Sequence, residues 1–180
     1  MTEFLSTFSA AALAGNFLLV SGLGLGVFPQ GARKLSAAGE EALSAILVVT
    51  GTAALAILLE FFFFRIWHLE FLRIPVYLLI GFLVSKIVEY YARLPYRDTF
   101  LSLALAVCLL AEVGALHFAQ VLGLAAGAAS GVGLVLVLGA GWVERWDFSP
   151  LPKDFRAVCL FFFSLGLLAL VFKGFQGLVR

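Results

Sequence analysis

Six apolar stretches, separated by short charged gaps, fill this 180-residue chain almost from end to end. Residues 4–32 contain no Asp, Glu, Lys or Arg, and the same is true of 42–59, 113–143 and 157–172. A helix that spans a bilayer needs about 20 mostly apolar residues, so stretches of this length indicate membrane spans rather than helices of a soluble core. With 63% hydrophobic and only 13% charged residues, the sequence predicts an all-α integral membrane protein with six transmembrane helices.

The predicted spans are 4–28, 42–64, 74–92, 99–119, 121–143 and 157–176. Their connections are short, which places consecutive helices side by side and antiparallel. The fourth and fifth spans are joined without a charged residue, and we expect a tight turn around Gln120 and Gly123. An interrupted helix is considered for the first span, as argued below, and also for the fourth span.

The composition also excludes several classes of protein. A formal net charge of +1 gives no basic surface for nucleic acid. The longest polar connection, 144–156, is too short for a soluble domain, so residues 1–180 are expected to form a single membrane domain. The amino-terminal Met-Thr-Glu-Phe lacks the basic region of a secretory signal, and the first span is expected to be retained. Cys108 and Cys159 both lie in apolar spans and form no C-x-x-C motif.

The distribution of basic residues predicts the orientation of the chain. The first, third and fifth gaps contain seven Lys and Arg: Arg33, Lys34, Arg93, Arg97, Arg145, Lys153 and Arg156. The opposite side contains four: Arg65, Arg73, Lys173 and Arg180. Because cytoplasmic loops carry the excess of positive charge, both termini are predicted to lie outside.

The first span contains a segment that disfavours a continuous helix. Residues 21–31 include four glycines and one proline, and in a helix interior these cost about 1 and about 3 kcal/mol respectively relative to alanine. A broken helix at membrane depth is typical of transporter binding sites. The alternative is that the glycines allow close helix packing. A second series, Gly123, Gly127 and Gly131, recurs at four-residue spacing and favours packing within the bundle or against a neighbouring subunit.

Three charged residues inside spans are candidates for an ion pathway. Glu112 follows Cys108 by four residues and therefore lies on the same helix face. It is interpreted either as a cation or proton relay or as a carboxylate paired to a neighbouring helix, because a charge at this depth is costly. Lys86 and Glu89 have the i, i+3 spacing at which opposite charges neutralise each other, and a structural role is favoured for them. Glu60, near a helix end, is interpreted as interfacial.

Several short segments, in the same order along all six spans, resemble one family of membrane subunits. The segments are Met1-Thr2-Glu3-Phe4, Gly15-Asn16-Phe17, Leu69-Glu70-Phe71-Leu72-Arg73, Lys86-Ile87-Val88-Glu89, Gly141-Trp142-Val143-Glu144-Arg145, Pro152-Lys153-Asp154-Phe155-Arg156, Gly166-Leu167-Leu168 and Lys173-Gly174-Phe175. The chain thus resembles the A subunit of the Rnf (Rsx) electron-transport complex, and is similar to the homologous E subunit of the sodium-translocating NADH:quinone reductase.

The resemblance implies a fold, partners and a reaction. It implies two inverted three-helix repeats, about 1–92 and 93–180, and a homologous six-helix partner of opposite orientation. Flavin and iron–sulfur proteins would be the other subunits. The complex would couple electron transfer from ferredoxin or NADH to Na⁺ or H⁺ translocation across the bacterial or archaeal inner membrane.

The resemblance also implies a [2Fe–2S] cluster, to which each of the two homologous subunits gives two cysteines. In the fourth span the family motif Thr-Asn-Cys aligns with Ala106-Val107-Cys108, which keeps the cysteine. In the first span the family cysteine aligns with Gly26, which has no ligand atom. Such a cluster needs four thiolates. Because Gly26 stands at one of the two motif positions, this chain offers at most one thiolate there. Cys159 aligns with a position that is not a ligand. The alternative is therefore a divergent transporter or structural subunit without redox work.

Overall fold

The computed structural model describes residues 2–14, 35–60, 62, 70–92, 98–113, 117–146 and 159–176. Every regular element within these ranges is a helix. The elements are α1 (Thr2–Ser9), which continues as a π-helix (Ala10–Ala14), α2 (Leu35–Leu59), a 3-10 turn (Glu70–Leu72), α3 (Arg73–Ala92), α4 (Asp98–Val113), α5 (Phe118–Trp146) and α6 (Cys159–Gln176). Each of the six predicted spans therefore contains a helix, and the all-α class is confirmed.

Three of the described helices are long and apolar enough to cross a membrane. They are Ala37–Leu59 within α2, Arg73–Tyr91 within α3 and Phe118–Trp142 within α5. The apolar part of α4, Phe100–Ala111, is shorter. This confirms the prediction of a membrane protein.

Helix α2 lies at the centre of the bundle and packs against α3, α4 and, most extensively, α5. Its buried residues recur every three or four positions, as expected for one face of a helix: Ala38, Glu41, Ser44, Ala45, Val48, Val49, Thr52, Ala53 and Ala56. Helix α1 and the π-helix pack on α5, and α6 contacts α5 and the π-helix. The core is therefore built around α2 and α5, with α6 at the edge of the described part.

The contact between α1 and α5 depends on two glycines, and we call it the glycine seam. A Cβ atom at Gly123 would lie 2.8 Å from the carbonyl oxygen of Phe4, and one at Gly127 would lie 2.5 Å from that of Phe8 and 2.9 Å from Cβ of Ala11. Because real Cβ atoms do not approach backbone this closely, α1 can lie here only against glycine. Of the two interpretations of this series, packing within the bundle is confirmed at these two positions.

The predicted turn around Gln120 and Gly123 is wrong. Helix α4 ends at Val113 and α5 begins at Phe118, so both residues lie inside α5. The backbone N–H of His117 donates to the Gln120 side-chain oxygen at 3.1 Å. This is the capping arrangement in which the third helical residue reaches back to the residue before the helix. The prediction failed because a glutamine and a glycine between two apolar stretches resemble a turn in the sequence, although here the glutamine caps the start of a helix.

The described residues cover only part of the predicted interruptions. The first span changes from α- to π-helix at Ala10–Ala14, and a π turn of this kind is often found at functional sites. The glycine-rich residues 21–31 lie outside the described residues. The fourth span shows no interruption between Asp98 and Val113. The two inverted repeats stay a prediction.

Candidate functional site

Cys108 lies on α4 with its side chain 5% exposed. Residues on the same side of this helix, Ala104, Val107 and Ala111, are also buried, and together with Cys108 they belong to the main apolar core. A thiol in such surroundings behaves as a small hydrophobic group. A membrane-embedded ligand would be buried in the same way.

The side chains of the other predicted site positions lie outside the described part of the chain. Gly26 lies outside the described residues. Cys159 is the first residue of α6 and Glu112 lies one turn after Cys108 on α4, but neither side chain belongs to the described part. Their roles stay predictions.

Lys86 and Glu89 form the predicted i, i+3 ion pair on α3. The Lys86 Nζ atom lies 2.7 Å from Glu89 Oε2, with the two side chains 51% and 47% exposed. The same Nζ lies 6.0 Å from the centroid of the Phe82 ring. The pair is on the outside of the bundle, whereas Cys108 is in its core, so the described structure does not bring these candidates into one site.

A second polar network, which we call the polar clasp, joins the end of α2 to the start of α3. Arg73 Nη2 lies 2.6 Å from Glu60 Oε1, with the two side chains 24% and 27% exposed. The hydroxyl of Tyr77, a residue buried in the core, donates to Glu60 Oε2 at 3.0 Å. From the sequence, Glu60 is interpreted as interfacial, and Arg73 enters only the orientation count and the family resemblance. The sequence signal for this contact was an acidic residue near the end of one span followed by an arginine at the start of the next.

Glu41 is a buried carboxylate that sequence reasoning missed. It lies in the first part of α2 and is 3% exposed, whereas its neighbour Glu40 is exposed. Its spacing from Ala38 and Ala45 places it on the buried face of α2. This helical spacing could have indicated that Glu41 is buried. It was not used because two adjacent glutamates were interpreted as a polar gap between spans.

The described residues do not form a metal or cluster site by themselves. No group of three or more His, Cys, Asp or Glu side chains within these ranges could hold a metal ion. A [2Fe–2S] cluster needs four cysteine ligands, and Cys108 is the one cysteine whose side chain is described. Cys108 is therefore one thiol toward such a cluster, and at Gly26 the sequence has no ligand atom to add.

Comparison with known proteins gives full-length matches to proteins named as the A subunit of the ion-translocating oxidoreductase complex. The chain is 33% identical over 193 aligned residues to the protein of that name from Pseudomonas paraeruginosa. It is 31% identical over 195 residues to the one from Vibrio vulnificus and 32% identical over 192 residues to the one from Aeromonas hydrophila. In all three matches, 100% of both chains is covered. No protein-family model matches the sequence.

Proposed function

Because this chain belongs to the family formed by the A subunits of ion-translocating oxidoreductase complexes, we propose that it is a membrane core subunit of a redox-driven ion-translocating complex. The observation that carries the proposal is the match of the whole chain to relatives of that name over their whole length. Long apolar helices and the lack of any polar segment of domain size support a role inside the membrane.

The proposed role is to form the membrane core while other subunits perform the redox chemistry. Flavin and iron–sulfur proteins would carry electrons from ferredoxin or NADH, and a homologous six-helix subunit of opposite orientation would complete the core. Support comes from the shortage of ligands, since Cys108 is the only thiol this chain offers at the two motif positions. We propose no electron-transfer step through this chain's own residues. The proposed location is the bacterial or archaeal inner membrane with both termini outside.

The proposed contribution to ion movement rests on the charged residues of the spans. Glu112 is the first candidate, because it lies in α4 and a carboxylate in a span is expected to face protein or a cavity. Lys86 and Glu89 are the second, because they place a donor and an acceptor side by side on α3. Each group could pass a cation or a proton only if a partner or water continues the path beyond it.

The experiment combines purification with transport. The tagged chain is isolated in mild detergent from its native membrane, and the accompanying proteins are identified by mass spectrometry. Ion uptake driven by NADH or by reduced ferredoxin is then measured in membrane vesicles from a deletion strain that carries the wild-type gene, Glu112→Gln or Glu144→Gln. Glu144, exposed near the end of α5, is the matched control.

We expect a homologous six-helix subunit with flavin and iron–sulfur subunits, and ion uptake that is lost in the deletion strain. Glu112→Gln should slow uptake while Glu144→Gln should not. Isolation of the chain alone, together with full ion uptake in the deletion strain, would refute the proposal.

A second candidate function is an ion or small-solute transporter without redox work. The observation in its favour is Gly26, where the redox family has a cysteine. This candidate predicts transport by the purified chain in liposomes with no electron donor present. The proposed function predicts that such liposomes show none.

A further inference from the structure

We draw no further inference here: the strongest candidate, the side chain of Glu41 on the buried face of α2, belongs to a residue that already has an interaction of its own, and nothing in the described part of the chain shows what else it would bind.

Discussion

The glycine seam and the polar clasp hold neighbouring helices together by opposite means. In the seam, Gly123 and Gly127 let the backbone of α1 lie directly on α5, so the contact depends on a missing atom. In the clasp, Glu60 binds Arg73 and Tyr77 across a gap between helix ends, so the contact depends on atoms that are present. The difference teaches that the seam tolerates no added atom, whereas the clasp can be weakened one bond at a time.

The largest effect is expected from Gly127→Ala. The new Cβ would lie 2.5 Å from the Phe8 carbonyl oxygen, and overpacking of this kind costs about 1–3 kcal/mol. The control is Gly166→Ala on α6, where a Cβ would meet nothing within 4 Å. Both variants gain the same helix propensity, so the difference in their free energies of unfolding in detergent isolates the contact. Equal stability would show that α1 does not press on α5.

The next effect is expected from Glu60→Ala, which removes both bonds of the clasp. A hydrogen bond to a charged group contributes about 1.5–3 kcal/mol, and since the pair is about three-quarters buried we expect a loss of roughly 2 kcal/mol. Glu40→Ala, on the exposed side of α2, is the control and should change unfolding by less than about 0.5 kcal/mol. A result in which the two variants unfold alike would remove the clasp as a stabilising element.

A smaller effect is expected from Tyr77→Phe. The change removes the hydroxyl that donates to Glu60 Oε2 at 3.0 Å and keeps the buried ring, so the cost is about 1 kcal/mol. In the background of Glu60→Ala the same change should cost less, because this acceptor is gone. Equal costs in both backgrounds, measured as a double-mutant cycle, would mean that the two residues do not interact.

The smallest effect is expected from Cys108→Ala, in a part of the core that belongs to neither the seam nor the clasp. Loss of one buried sulfur atom should cost about 1 kcal/mol. Because this chain lacks a thiol at Gly26, we expect the iron and acid-labile sulfide of the purified complex to stay unchanged. A drop in both, with Cys159→Ala as the control, would instead establish Cys108 as a cluster ligand.

The sequence predicted the helices better than their ends or their contacts. The third span was expected at 74–92 and α3 runs from Arg73 to Ala92. The second span was expected to begin at residue 42, yet α2 begins at Leu35. A helix can extend beyond the apolar stretch through charged residues at its end. Of the candidate site residues, the pairing of Lys86 with Glu89 followed from local spacing. The clasp at Glu60 joins residues 13 and 17 positions apart, and no local pattern reaches that far.

The amino-acid sequence by itself determined that this protein is helical and embedded in a membrane. Uncharged stretches of this length are stable in lipid, and there the backbone must satisfy its own hydrogen bonds by forming helices. Only the tertiary structure decided which residues form the core. In a soluble protein the polar face of a helix reveals its buried face, but lipid is as apolar as leucine. Leu55 and Val49 of α2 are therefore alike in sequence, although one is 44% exposed and the other fully buried. What separates them is where α5 can approach closely enough to cover α2, and that depends on small residues such as Gly133, where an added Cβ would lie 3.0 Å from Cβ of Ala42.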